Sequence, residues 1–212
     1  MSGGNRTIEN MEKKKYNIIQ FSLDTELQHG MIVSVLAQQT AKRLELSKEQ
    51  CYDLAVAGLL HDVGKLELAK YVYRKGETLT IEEIKYVRTH PTLGYALLSG
   101  KGYSGFVVES ILYHHENYDG SGYPSNLNGE DIPLGARILR ICDVYAALTS
   151  DRPYRRAFDE ETAIQTMIEE IKDFDLKIFL CFLQVIHDES VQERLQKCRA
   201  ADFKIEEDML WQ

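Results

Sequence analysis

The chain has 212 residues, 44% hydrophobic and 27% charged, with a formal net charge of −8. That length suffices for one domain with its own core, and the balance is that of a folded protein rather than a disordered or bilayer-embedded one. The acidic surplus argues against a nucleic-acid polymer as partner, because a phosphate backbone demands a broad basic face, but it leaves a small anionic ligand open.

In chain order, residues 1–20, including Lys13-Lys14-Lys15, read as a polar N-terminal leader with no assigned function. From Asp24 to about Leu44, apolar residues such as Leu27, Met31, Val35 and Leu44 recur at helical steps, placing His29 near the start of a helix. Ser47 and Gln50 form a capping-box signal for a second helix, Cys51 to Asp62. It is apolar nearly all round, which predicts a buried central helix that Gly64 ends by letting the chain turn. Tyr71 to Leu79 reads as a loop or short hairpin, and Thr80 with Glu83 caps a helix expected to end at His90, before Pro91. Pro91 opens the next helix, to about Leu98, and a further helix runs from about Phe106 to His115.

Asn117 to Ile132 is a long loop rich in Gly, Asn, Ser and Asp, of a length that in folded domains is usually functional or disordered. Pro133 fits the first turn of a helix through about Leu148 that carries Asp143. Asp159-Glu160-Glu161 opens another helix, and Asp175 to Asp188 is the last long one, followed by a mixed charged tail from Glu189. The fold expected is an all-α bundle, with a catalytic domain over 21–188 and a charged C-terminal extension over 189–212.

The runs Leu54 to Leu60 and Ile178 to Ile186 are too short to span a bilayer, and no secretory leader is visible, so the expected address is the cytoplasm, with no membrane partner. Cys51, Cys142, Cys181 and Cys198 are widely separated without a CxxC pair and read as incidental thiols in a reducing compartment.

Chemistry concentrates in Leu59-Leu60-His61-Asp62-Val63-Gly64-Lys65, where an apolar helix ends in an adjacent imidazole and carboxylate. Of the six histidines, His29, His61, His90, His114 and His115 stand in contexts suited to metal ligands, supplemented by Asp62 and Asp143, while His187 reads as a surface residue. Neighbours on a helix point about 100° apart. His114 and His115 are therefore expected to serve two different ions lying side by side, as are His61 and Asp62, with the carboxylate free to bridge. Such a binuclear arrangement, with ions about 3.5–4 Å apart, is the usual device for in-line attack at phosphorus.

The order His29, His61-Asp62-Val63-Gly64-Lys65, His90-Pro91, His114-His115-Glu116, Asp119-Gly120-Ser121-Gly122-Tyr123-Pro124, Asp143 and Arg152-Pro153-Tyr154-Arg155 resembles the HD-GYP domain, a branch of the HD metal-dependent phosphohydrolases, over about residues 20 to 188. The resemblance implies an HD-domain helical bundle of about seven to nine helices with a glycine-rich GYP loop. It implies a metal-dependent cyclic di-GMP phosphodiesterase of bacterial signal transduction, yielding pGpG and/or GMP. The implied ligands are His29, His61, Asp62, His90, His114, His115 and Asp143, with Asp62 the bridge, for two divalent ions, Fe or Mn first, with Zn, Ni or Mg also accommodated. Lys65, Tyr123, Arg152 and Arg155 match positions that contact substrate, and Asp62 and Lys65 are the expected catalytic pair. Where some members place a Glu that binds a third metal, this chain has Thr25, so two ions are expected. The alternatives are another HD phosphohydrolase acting on nucleotides or mixed cyclic dinucleotides, and a non-catalytic cyclic-dinucleotide sensor. Tyr123 has two readings, a stacking or hydrogen-bonding contact to substrate and loop packing beside Pro124. A homodimer is an assembly left open, and no regulatory partner is readable.

Overall fold

Side chains at the helix starts fix much of the architecture. The capping box at Ser47 is present, with the Gln50 N–H donating to Ser47 Oγ at 3.1 Å and the Ser47 N–H to Gln50 Oε1 at 3.2 Å. Ser104, Asp159, Asp175 and Asp188 each accept a backbone N–H from the first turn of the helix that follows. Each such cap stabilises its helix by about 1 kcal/mol.

A computed structural model describes residues 25–72, 81–151 and 155–201. The leader, the Tyr73–Leu79 part of the expected loop, Thr80 of the expected cap, and Arg152 lie outside the described residues. Helix α1 covers residues 25–43. It is followed by α2 (Lys48–Leu60), α3 (Lys65–Val72), α4 (Ile81–Val87), α5 (His90–Leu98), α6 (Gly105–Leu112), α7 (Leu134–Leu148), α8 (Glu160–Glu169), α9 (Leu176–Ile186) and α10 (Glu189–Arg199). The described residues are thus helices and loops, the all-α bundle expected.

The expectation of a central α2 is corrected. Leu54, Ala57 and Gly58 are buried, but Tyr52 and Leu59 are 66% and 44% exposed, so α2 presents one face to the core. The middle position goes to α6, which packs against α2, α5 and α7 and buries Val107, Val108, Ser110 and Ile111. Composition alone misleads here because an apolar run does not say which of its faces meets a neighbour. The core continues through Leu36 of α1, Leu139 of α7 and Phe182 of α9.

Two boundaries also differ. His90 opens α5 rather than closing α4, with Pro91 in the first helical turn, where its missing N–H costs nothing. Residues from Glu189, read as a charged tail, form α10, which buries Val191, Leu195 and Cys198. Three apolar side chains at helical spacing among charged ones are easily overlooked, yet each is worth roughly 1.5–3 kcal/mol when buried. Among the described residues no helix is long and apolar enough to cross a membrane.

Candidate metal centre

The site is built where four helix ends and two helix flanks converge. His29 comes from the first turns of α1, His61 and Asp62 from the turn between α2 and α3, His90 from the start of α5, His114 and His115 from the turn after α6, and Asp143 from the middle of α7. Gly64 lets this happen. A Cβ there would lie 2.0 Å from the His90 carbonyl oxygen and 2.7 Å from the Gly94 nitrogen. Its role is therefore close approach between the His61–Gly64 turn and α5, beyond the simple helix stop expected from sequence.

The seven expected ligands fall into two groups, each able to hold a metal ion: Asp62, His90, His114 and His115 in one, and His29, His61 and Asp143 in the other. Asp62 faces both. Its Oδ1 lies 3.1 Å from His90 Nε2 and 4.0 Å from His114 Nε2, while its Oδ2 lies 3.2 Å from His61 Nε2 and 3.9 Å from His29 Nε2. Asp143 Oδ1 is 2.9 Å from His29 Nε2 and 3.7 Å from His61 Nε2. The expectation that His114 and His115 serve different ions is corrected, since both belong to one group with ring centroids 4.1 Å apart. The 100° rule fails for them because α6 stops at Leu112, and Tyr113 leaves helical geometry with φ −109° and ψ 10°.

One backbone device recurs three times. Nδ1 of His61, His90 and His114 donates to the carbonyl three residues earlier, of Gly58, Val87 and Ile111, at 2.7–2.8 Å. A carbonyl can only accept, so these rings carry their proton on Nδ1 and turn an Nε2 lone pair toward the centre, the tautomer that a metal requires. The fit to a cation is then testable on orphaned atoms. His61 Nε2 and Asp62 Oδ1 are buried without a hydrogen-bond partner among the described residues. A lone pair 3.2 Å from a carboxylate oxygen is repulsive unless a proton or cation lies between them.

Titration behaviour agrees. Burial disfavours a charged His61, but Asp62 and Asp143 outweigh it and lift the pKa to about 10, so in a cation-free centre a proton fills this place. Burial pushes His114 well below the usual imidazole range, reinforced by His115, and carries His115 down to about 3 against the pull of Asp143, leaving both neutral with lone pairs available. Burial raises Asp62 and Asp143, yet the imidazoles around them, and Lys65 for Asp62, hold both well below the usual carboxylate range.

Beside the two groups stand Lys65 and Tyr123, two of the expected substrate residues. Lys65 Nζ lies 2.5 Å from Asp62 Oδ2 and 3.4 Å from Glu26 Oε2. Those carboxylates overcome its burial and keep it charged. Tyr123, on the long loop, stacks on His115 with centroids 4.8 Å apart and planes 25° from parallel, and the Arg88 guanidinium lies 4.8 Å from its ring centroid. Burial raises the Tyr123 hydroxyl above its ordinary pKa, so it stays a neutral donor. Arg155 departs from expectation. It donates to the carbonyls of Leu148 at 3.0 Å and Ala147 at 2.9 Å and lies over Phe158, closing the C-terminal end of α7. Unpaired carbonyls at a helix end, where the helix dipole is negative, attract a guanidinium.

Sequence reasoning missed several supports. Buried Glu116 accepts the N–H groups of Ser125 at 2.6 Å and Leu127 at 3.1 Å, tying down the loop that carries Tyr123. Its place directly after His114-His115, ahead of a loop full of backbone donors, was the available signal. Arg140 bonds Asn117 Oδ1 at 2.9 Å from one turn before Asp143 on α7. His187 is exposed and paired with Glu160, as a surface residue should be.

With this geometry in place, comparison with known proteins is direct. The family model described as HD domain matches residues 13–178. Among curated relatives, "Cyclic di-GMP phosphodiesterase PA4108" of Pseudomonas aeruginosa is 40% identical over 159 residues, 74% of this chain and 38% of that protein. "3'3'-cGAMP-specific phosphodiesterase 1" of Vibrio cholerae is 35% identical over 155 residues, 73% of this chain and 36% of that protein. The chain therefore spans less than half the length of these relatives. Among solved structures, Bd1817, an HDG"Y"P protein from Bdellovibrio bacteriovorus, aligns with a TM-score of 0.64 at 21% identity, covering 78% of this chain and 53% of that one, a likeness of fold.

Proposed function

Because this chain belongs to the HD-domain family, we propose that it is a metal-dependent phosphodiesterase that opens cyclic di-GMP to pGpG and carries it on toward GMP. The catalytic unit is proposed to be 21–188, working in the cytoplasm. The observation that carries this reading is Asp62, whose two oxygens face two separate ligand groups. A shared carboxylate is what a binuclear centre needs, and an isolated structural metal site does not.

The proposed ligands are His29, His61 and Asp143 on one side and His90, His114 and His115 on the other, with Asp62 between them. Their nitrogen and oxygen donors suit Fe or Mn, and also accept Zn. When bound, two such ions supply Lewis acidity at the phosphoryl group and an activated water for in-line attack. The chain's own residues do the rest. Lys65, held charged beside Asp62, meets the negative charge that develops on the phosphoryl oxygens. Tyr123 keeps His115 in place with its ring face and offers its neutral hydroxyl to the substrate at the mouth of the site. Burial of the histidine rings excludes water from around the groups, which strengthens these interactions.

A second reading, hydrolysis of a mixed-base cyclic dinucleotide, is supported by the similarity to a relative named as 3'3'-cGAMP-specific. Purified, metal-loaded protein should be assayed against cyclic di-GMP, 3'3'-cGAMP and nucleoside triphosphates, with products resolved by chromatography. Turnover of cyclic di-GMP as the preferred substrate is expected. Preference for the mixed dinucleotide selects the second reading, preference for triphosphates refutes both, and tight binding without turnover would make the protein a sensor.

A further inference from the structure

Lys65, Arg140 and Arg155 each have polar partners among the described residues. Lys65 is held by Asp62 and Glu26. Arg140 donates to Asn117 and lies 3.7 Å from Asp173. Arg155 is spent on the carbonyls that end α7. Arg88 differs. Its side chain is exposed, and no carboxylate among the described residues pairs with it. Its guanidinium lies over the Tyr123 ring, 4.8 Å from the centroid.

The backbone that presents Arg88 is well fixed. It lies in the turn between α4 and α5, where the Arg88 N–H donates to Ile84 at 3.0 Å, the Thr89 N–H to Tyr86 at 3.0 Å, and His90 Nδ1 to Val87 at 2.7 Å. From there the guanidinium rests on Tyr123, which rests on His115 of the metal-ligating group. A cation on an aromatic face keeps its in-plane N–H donors free, because the ring engages only the π-surface of the guanidinium.

A cyclic dinucleotide carries two phosphodiesters on opposite sides of its ring. When one lies at the metal groups, the other is held away from them and needs a planar donor at the rim of the site. We infer that Arg88, carried on the Tyr123 ring, is a substrate-binding residue that receives the phosphodiester not undergoing cleavage. This rests on the cyclic-dinucleotide reading given under Proposed function. The bidentate geometry of a guanidinium with a phosphate, and the exposure of Arg88 beside a ligand group, are what favour it over a bracing role.

The test compares two substrates in the full chain, metal-loaded: cyclic di-GMP, with two phosphodiesters, and bis(p-nitrophenyl) phosphate, with one. Arg88→Met keeps the apolar stem, and Arg88→Lys keeps the charge without the fork. Arg88→Met is expected to raise KM for cyclic di-GMP by about tenfold or more, the usual effect of losing a charge-assisted hydrogen bond, with kcat little changed. Arg88→Lys should recover part of that loss, and hydrolysis of bis(p-nitrophenyl) phosphate should stay within about twofold of the parent for both. Three results would overturn the assignment: an unchanged KM for cyclic di-GMP, an equal loss on both substrates, or a drop in bound metal, the last two showing that Arg88 only braces Tyr123. A parent protein that cleaves bis(p-nitrophenyl) phosphate but no cyclic dinucleotide removes the underlying reading and this assignment together, and it is told apart because it appears before any variant is made.

Discussion

Lys65 Nζ lies 2.5 Å from Asp62 Oδ2, the oxygen that also faces His61. The pair is formed within one turn of chain, so the lysine is positioned by the same backbone that positions the carboxylate between the two ligand groups. In the reaction proposed above, charge that builds up beside Asp62 would build up beside a fixed ammonium.

Replacing Lys65 by Met should lower kcat by about 10²-fold, the usual effect of deleting one preorganised donor. Bound metal should not fall, because the change removes a cation that competes for Asp62. Elemental analysis alongside kinetics checks this, and a variant that loses its metal would assign Lys65 to the metal site instead.

Asp62→Asn removes the charge shared by both groups. Turnover should drop by at least about 10³-fold, equivalent to losing roughly 4 kcal/mol of transition-state stabilisation. Metal content should fall with it while the far-ultraviolet circular dichroism stays helical. A metal-replete, active Asp62→Asn protein would contradict the bridging role.

The metal centre should be strongly pH-dependent through His61, whose pKa in the cation-free site is raised to about 10. In the absence of metal, a raised pKa contributes stability that is fully present below about 6.5, the unfolded value, and is lost as pH rises through about 10. Metal-free protein should therefore lose melting temperature across this interval. Metal binding must displace that proton, so apparent metal affinity should rise with pH over the same range. Thermal melts with and without Mn²⁺ at several pH values would show the two trends diverging, and parallel curves would exclude a proton–metal exchange at His61.

Arg155 donates to the carbonyls of Leu148 and Ala147, and we expect it to seal α7 rather than to touch substrate. Arg155→Ala should cost about 1–3 kcal/mol of stability, a drop of several degrees in melting temperature for a chain this size. KM for the cyclic dinucleotide should stay within about twofold on the same grounds. A raised KM without a stability loss would restore a substrate role.

Glu116 holds two backbone N–H groups of the loop that carries Tyr123. Glu116→Gln puts an amide NH₂ against one of those donors, leaving it unsatisfied at about 1–3 kcal/mol. Limited proteolysis between residues 117 and 132 should accelerate, and KM should rise as Tyr123 loses its support. Unchanged cleavage kinetics would show that the loop is held by other contacts.

Much of this molecule was legible in the sequence because the signals were local. The capping box at Ser47, the helix starts at Asp159 and Asp175, Pro91 in a first turn and the all-α class follow from side chains acting within four residues of themselves. The seven candidate ligands were also readable, since imidazoles and carboxylates at the ends of apolar helices have few other good partners. The exposed flank of α2 and the burial of α10 were not readable, because both depend on which neighbour lies alongside.

The sequence by itself determined which residues carry metal-ligating donor groups and that helices would carry most of them. Only the tertiary structure decided how they are shared out: His114 and His115 together, Asp62 set between His61 and His90, and Arg155 drawn to a helix end. The physical reason is that ligand type is a property of a side chain. Ligand grouping is a property of distances between segments far apart in the chain, set by core packing and by a glycine that lets two backbones touch.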